Sequence, residues 1–251
     1  MKIGAVLVLV YLIDTPLRAA EAIVFSYIQS NAAPFALMDA KDALSGGILK
    51  DVGAGIGKEL NKPVKFKLSS RNRISSDIVE GAVDVNCFLK QSWVPDSKLF
   101  DWTSNASFSD SNRLYILSES NDISSVDQLK GKKIGTYLGY YYSPEVMDGF
   151  KKNIFIRSDI TDGKQNYLKL LAKRIDAFIE SEIIYLYQAK KKKDLQGKLK
   201  AASLKLAGEG EVYCAVSKKS ATKVAEIDKA LGIMHANGSI NKILESYRSP
   251  F

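Results

Sequence analysis

The sequence contains a single histidine, two cysteines and no apolar run of the length that a membrane-spanning helix needs. Among 251 residues, His235 is the one histidine, and Cys87 and Cys214 each lie in a separate apolar stretch. A serine or cysteine nucleophile activated by histidine is therefore not expected, nor is a cluster of metal ligands. We expect no metal ion and no cofactor.

The first residues have the pattern of a secretory signal. Lys2 precedes an apolar run from Ile3 to Ile13, which is shorter than the ~20 residues that span a bilayer. Ala20 and Ala22 then supply the small residues that signal peptidase accepts. We predict a signal peptide over residues 1–22 and a mature chain free in the periplasm. The alternative is a buried N-terminal strand or helix.

Positive charge exceeds negative charge, because 36 Lys and Arg residues outnumber 28 Asp and Glu residues and give a net charge of +8. Such an excess can indicate a nucleic-acid or membrane partner. The densest basic run, Lys190 to Lys193, follows the apolar stretch Ile183 to Leu186, which is typical of the solvated end of a helix. The remaining charge is scattered, so no nucleic-acid partner is expected.

Apolar periodicity alternates between strand-like and helix-like stretches, which predicts an α/β fold. The stretch Val83 to Leu89 is almost wholly apolar and predicts a central strand whose end, at Lys90 and Gln91, opens onto a crevice. Ser143, Pro144 and Glu145 form a strong helix start. The other predicted strands cover residues 23–28, 64–68, 113–117, 133–138, 175–179 and 212–216.

Three glycines, Gly53, Gly55 and Gly57, fall inside the helical apolar period that begins at Leu49. They superficially resemble a dinucleotide-binding loop. That loop joins a strand to a helix, however, whereas these glycines lie within the helix. Close packing of the helix is the prediction, and no nucleotide is inferred.

Four short stretches, taken in order, carry a resemblance to a known family. They are Ala33-Pro34-Phe35 leading to Gly47 and Asp51, Glu80-Gly81-Ala82-Val83-Asp84, Leu129-Lys130-Gly131-Lys132-Lys133-Ile134-Gly135, and Asn237-Gly238-Ser239. With them, almost the whole mature chain resembles the family 3 extracellular solute-binding proteins, which include polar amino-acid receptors of ABC importers.

The resemblance implies a periplasmic binding protein-like fold of type II, in which two α/β lobes are joined by two extended crossovers. We expect residues 23–112 and 208–251 to form the first lobe and residues 113–207 the second. A small polar solute would be trapped between the lobes and delivered to an ABC permease in the inner membrane, without catalysis. A monomer is expected.

Two charged groups of the family's amino-acid receptors are missing or relocated here. The arginine that grips the ligand carboxylate corresponds to Asp96, and the aspartate that accepts the ammonium group corresponds to Ser181. Arg71 is a candidate replacement anion clamp, or else the start of a surface helix. The resemblance thus implies an amino acid-like ligand or a small organic anion.

The candidate ligand-binding residues implied by the resemblance come from both lobes. Phe88 could equally belong to the core, and the tyrosines could equally form a surface or interface patch. The full set is Phe35, Arg71, Phe88, Gln91, Trp93, Tyr140, Tyr141 and Ser181.

Three questions stay open at this point. In this family the strands that carry Cys87 and Cys214 run side by side, so the two cysteines either form a disulfide or remain buried thiols. Cyclohexadienyl dehydratases resemble these binding proteins, so an enzyme with Glu180 or Glu182 as general acid is an alternative function. A ligand-sensing module for a membrane receptor is another.

Overall fold

The computed structural model describes residues 21–28, 31–41, 43–70, 72–94, 96–140, 142–160, 165–192, 195, 197–205 and 210–248. The predicted signal peptide lies outside this part of the chain except for its last two residues. Two sheets, one six-stranded and one five-stranded, carry the architecture, together with a small hairpin.

The first sheet is built from both ends of the chain. Its strands run in the order β4-β1-β5-β13-β6, and β7 also pairs with β13. Strands β1, β4 and β5 are mutually parallel, whereas β13 is antiparallel to its neighbours. Its elements, with the hairpin β2–β3, are β1 (Ile23–Ile28), β2 (Leu37–Met38), β3 (Leu44–Gly46), α1 (Ile48–Glu59), β4 (Val64–Ser69), α2 (Ile74–Glu80), β5 (Val85–Leu89), β6 (Asp101–Trp102) and β7 (Phe108–Asp110). The chain later returns with β13 (Gly210–Val216), α6 (Val224–Ala236) and α7 (Ser239–Arg248).

The second sheet comes from the middle of the chain and has the order β10-β9-β11-β8-β12. Strands β9, β10 and β11 are parallel, and β8 runs antiparallel to β11 and β12. Its elements are β8 (Asn112–Leu117), β9 (Lys133–Tyr137), α3 (Pro144–Lys151), β10 (Ile156–Ile160), α4 (Gln165–Leu171), β11 (Ala177–Ser181), α5 (Glu182–Lys191) and β12 (Leu199–Lys205).

The chain passes between the sheets twice. It crosses first at Ser111, between β7 and β8, and returns between β12 and β13. Because the first sheet uses strands from both sides of these crossings, the second sheet is an insertion in the first. The predicted α/β architecture of two lobes joined by two crossovers is confirmed.

Helix α1 lies so close to its neighbours that its glycines have no room for larger side chains. A methyl group on Gly53 would meet the Phe66 ring 2.9 Å away, and one on Gly57 would meet the Lys62 carbonyl oxygen at 2.9 Å as well as the Val64 side chain. At Gly55 the obstacle is the flexible end of Met234. The predicted close packing is confirmed.

A disulfide joins Cys87 on β5 to Cys214 on β13, so the open choice between a disulfide and two thiols is resolved. Both cysteines are buried in the core of the first lobe. That core also receives Ile183, from the first turn of α5, and α5 packs against α7. In the described ranges, no helix is long and apolar enough to cross a membrane.

Candidate functional site

The two sheets direct the carboxyl ends of their parallel strands toward the crossovers. In α/β sheets, ligands bind in the crevice outside these strand ends. Strands β1, β4 and β5 contribute such ends from the first lobe, and β9, β10 and β11 contribute them from the second. The candidate site is therefore the cleft between the lobes.

An aromatic cluster lies at the first-lobe side of this cleft. The Phe88 ring centroid lies 4.6 Å from that of Phe35 and 5.6 Å from that of Phe108. Trp93 then meets Phe88 edge-on, with centroids 6.2 Å apart. Exposure increases along this series, because Phe35 is buried at 3%, Phe88 is half-buried and Trp93 is 50% exposed. The cluster is therefore core at one end and surface at the other.

Lys90, the residue after β5, places an ammonium group beside this cluster. Its Nζ lies 5.3 Å from the centroid of the Trp93 ring, and the side chain is half-buried. Burial lowers the pKa of Lys90, and the negative charges of Asp110 and Glu211 act in the opposite direction. The ammonium is thus partly desolvated near the crossover strands.

The second-lobe side is formed by the turn after β9, which Arg157 of β10 holds in place. The Arg157 guanidinium donates to the carbonyl oxygens of Tyr137 and Tyr140, each at 3.0 Å, and pairs with Asp159 at 2.8 Å. The rings of Tyr137 and Tyr140 lie 5.1 Å apart. The Tyr142 hydroxyl accepts from the Tyr137 backbone N–H at 2.9 Å. This turn is therefore fixed at its main chain.

Glu180 is a buried carboxyl group directly behind the tyrosines. The Tyr137 hydroxyl donates to its Oε2, and the Ser181 backbone N–H donates to its Oε1 at 2.9 Å. Burial raises the pKa of Glu180 to about 8, since these hydrogen bonds only partly offset desolvation, and Asp110 adds a like-charge contribution. Glu180 is therefore mostly protonated at neutral pH. Burial likewise raises the pKa of Tyr137.

Ser181 and Asp110 tie the first crossover to the start of α5. The Ser181 hydroxyl accepts from Ile184 N–H at 3.1 Å, as a helix N-cap does, and hydrogen-bonds to the Asp110 carboxyl. Asp110 also accepts from Ile183 N–H at 3.4 Å, and Glu182 N–H donates to Ser111 at 2.8 Å. Burial raises the pKa of Asp110 to about 6.

The residues predicted from sequence therefore have different surroundings. Gln91 and Trp93 bound an exposed 3-10 turn after β5, and Tyr140 is 39% exposed on the other lobe. Ser181 is buried as a helix cap. Arg71 and Tyr141 lie outside the described residues. Their roles in ligand binding remain predictions.

Sequence reasoning did not select Lys90, Tyr137, Asp110 or Arg157 as site residues. Lys90 did carry a usable signal, because it directly follows the most apolar strand of the chain. Asp110 and Arg157 had none, because each acts through contacts with residues distant in sequence.

A separate depression of about 670 Å³ lies at the end of the second sheet far from the crossovers. Its charged groups include Glu119 and Lys173, which pair with each other at 3.2 Å. Nothing there resembles a built ligand site. Across the described ranges, no three His, Cys, Asp or Glu side chains come together to hold a metal ion.

Comparison with known proteins gives a consistent family. The family model for bacterial extracellular solute-binding proteins, family 3, matches residues 26–250. The probable amino-acid-binding protein YxeM of Bacillus subtilis is 26% identical over 208 residues, which cover 78% of this chain and 74% of that protein.

Solved structures agree in fold. The probable amino-acid ABC transporter extracellular-binding protein ytmK of Bacillus subtilis has a TM-score of 0.74 at 18% identity, covering 91% of this chain and 97% of that one. The L-cystine solute receptor of Neisseria gonorrhoeae, unliganded and open, has a TM-score of 0.69 at 21% identity, covering 90% and 92%. With the match to the family model, which spans most of the sequence, this chain belongs to the family 3 bacterial extracellular solute-binding proteins.

Proposed function

We propose that this protein captures a small polar solute between its lobes and delivers it to the permease of an ABC importer. The observation that carries the proposal is that parallel strands of both lobes direct their carboxyl ends toward the crossovers, the place where α/β folds bind ligands. A ligand that contacts both lobes stabilises the closed state more than the open one, and that difference drives closure. No chemical step is needed.

The solute we propose is amino acid-like or a small organic anion. The aromatic cluster around Phe88 and Trp93 offers an apolar surface on the first lobe, and the turn after β9 offers the partly exposed side chain of Tyr140 on the second lobe. YxeM, a relative by sequence, is named as an amino-acid-binding protein, and the gonococcal structure as an L-cystine receptor.

We further propose that the chain is exported by the signal peptide 1–22 and works in the periplasm as a monomer. The lobe boundaries that we propose are 23–112 with 208–251 for the first lobe and 113–207 for the second. The described strands follow these boundaries except at Asn112, which is the first residue of β8 and pairs with Ser181 in the second sheet.

A thermal-shift screen tests the proposal. The purified protein is screened against amino acids, organic acids, amines and small peptides. A ligand at a hundredfold excess over its Kd stabilises the protein by ~2.7 kcal/mol. Small-angle scattering with that ligand should show a smaller radius of gyration, because the lobes close. A chain that binds none of these solutes, or that binds without closing, would contradict the proposal.

One observation favours a second function, a dehydratase-like enzyme. Glu180 is buried and has a pKa raised to about 8, so it carries the proton that a general acid needs. Against this role, both of its oxygens already take part in hydrogen bonds within the lobe. Incubation of the purified protein with prephenate distinguishes a dehydratase from a binding protein. Turnover that disappears in Glu180→Gln supports the enzyme, and unchanged prephenate supports the binding protein.

A further inference from the structure

We propose that Lys90 is the cationic anchor of the cleft and that the natural ligand carries a carboxylate which binds to its ammonium group. The inference rests on the proposed function, since it names the class of solute that the cleft takes. It concerns a residue at the end of the central strand of the first lobe, at the point where β5 opens onto the crevice.

The position of Lys90 is defined by neighbours on two sides. β5 is the middle strand of its sheet, and its neighbour β13 begins at Gly210. A methyl group on Gly210 would lie 3.7 Å from Lys90 Nζ, so the ammonium lies beside the first residue of β13. The Trp93 ring covers another side at 5.3 Å. The ammonium of this half-buried side chain therefore lies between the start of β13 and the Trp93 ring.

The donors of Lys90 have no anionic partner in the part of the chain that the structure describes. No carboxylate there forms an ion pair with its Nζ within 4 Å. The two nearby acids have other hydrogen-bond partners. Asp110 binds Ser181 and Ile183 N–H, and the Glu211 carboxylate accepts from the Tyr213 hydroxyl at 2.6 Å.

A half-buried ammonium with unused donors is stabilised by an anion that replaces its lost hydration. Burial already lowers the pKa of Lys90, which shows that the site favours the charged form less than water does. A ligand carboxylate would reverse this effect. The adjacent aromatic wall would exclude water from the ion pair, which strengthens it. Lys90 therefore has the properties of an anion clamp that lacks its anion.

The test compares Lys90→Met with Lys98→Met. Both variants remove one positive charge from the segment after β5, but Lys98 is exposed, and within the described residues it takes part in hydrogen bonding through its backbone carbonyl, which accepts from Lys218 Nζ. Lys90→Arg keeps the charge and serves as the rescue variant. Melting temperatures without ligand show that each variant is folded.

The probes are L-arginine, L-glutamine, L-phenylalanine and succinate, together with any other solute that the thermal-shift screen finds. Each is measured by calorimetry as the free carboxylate and as its carboxamide. The wild type and Lys98→Met should prefer the carboxylate by roughly 30-fold or more, the size expected for a close charge pair. In Lys90→Met that preference should disappear, whereas Lys90→Arg should retain most of it.

The outcomes separate this inference from the proposed function. If the wild type binds a solute but binds its carboxamide equally well, or if Lys90→Met binds like Lys98→Met, Lys90 is not the anchor and the binding function stands. If no probe and no screened solute binds the wild type, the proposed function fails and the anchor fails with it.

Discussion

The disulfide between Cys87 and Cys214 should contribute a large share of the protein's stability. The two cysteines are 127 residues apart, and the loop that they close contains every strand of the second sheet. Reduction followed by refolding is the perturbation. It removes a cross-link at the base of the inserted lobe without changing any side chain other than the two sulfurs.

The magnitude follows from the loop length. On the chain-entropy model, a loop of this size restricts the unfolded chain by about 5 kcal/mol at 25 °C. Typical domains have a free energy of unfolding of only ~5–15 kcal/mol, so the loss is substantial. For a chain of this length it corresponds to a fall in Tm of about 10–20 °C.

Urea unfolding with and without a phosphine reductant measures the effect, and Cys87→Ala/Cys214→Ala is the matched control. The wild type should lose about 5 kcal/mol in reductant, whereas the double variant should give the same curve in both conditions. Two titratable thiols in unreduced, denatured protein would show that the bond does not form. A loss below about 1 kcal/mol in a protein with the bond intact would refute the loop-entropy reasoning.

Three further outcomes are expected. Gly57→Ala should lower the free energy of unfolding in urea by ~1–3 kcal/mol, because the added methyl group meets rigid neighbours. Gly55→Ala meets the flexible end of a side chain, so its free energy of unfolding should lie within ~1 kcal/mol of wild type. Equal effects of the two variants would contradict the packing argument. The pKa of Glu180 is raised to about 8 in the native state, so the folded protein keeps a proton that the unfolded chain releases at lower pH. The free energy of unfolding should therefore fall as the pH rises from 5 to 8. Glu180→Gln should reduce the change of the urea midpoint with pH, and an unchanged pH dependence in this variant would contradict the assignment to Glu180. Arg157→Met should speed amide hydrogen exchange in the turn that ends at Tyr140, because the carbonyl groups of Tyr137 and Tyr140 lose their hydrogen-bond donor. Unchanged exchange would show that Arg157 does not stabilise the turn.

Sequence periodicity predicted those strands and helices whose residues alternate clearly between buried and exposed positions. The first strand was placed at 23–28 and is observed at Ile23–Ile28, and the helix start at Ser143 was confirmed by its side-chain cap. Strand β12, Leu199–Lys205, was missed. Its apolar positions are occupied partly by alanines, which give a weak alternation, and its place at the edge of the sheet depends on pairing with β8.

The candidate site was less predictable, because its important contacts join residues far apart in the chain. The sequence directed attention to the end of β5 and to the tyrosines after β9, and both flank the cleft. It could not show that Asp110 binds the start of α5, or that Glu180 is enclosed by a tyrosine from the neighbouring strand. Such environments exist only after strands and helices that are distant in sequence have packed together.

The charge balance of the cleft links these contacts to ligand choice. The family resemblance predicts that Ser181 replaces an ammonium-binding aspartate of the amino-acid receptors, and the structure shows Ser181 engaged as a helix cap. Its neighbour Glu180 is hydrogen-bonded inside its lobe, and its pKa, raised by burial to about 8, leaves it mostly protonated at neutral pH. At these two positions the second lobe therefore presents a hydroxyl group and a mostly neutral carboxyl group, which bind a cation weakly. With Lys90 as a cation on the opposite lobe, the electrostatics favour a ligand recognised through its anionic end, because the acid at the first crossover, Asp110, is already hydrogen-bonded to Ser181 and Ile183 N–H.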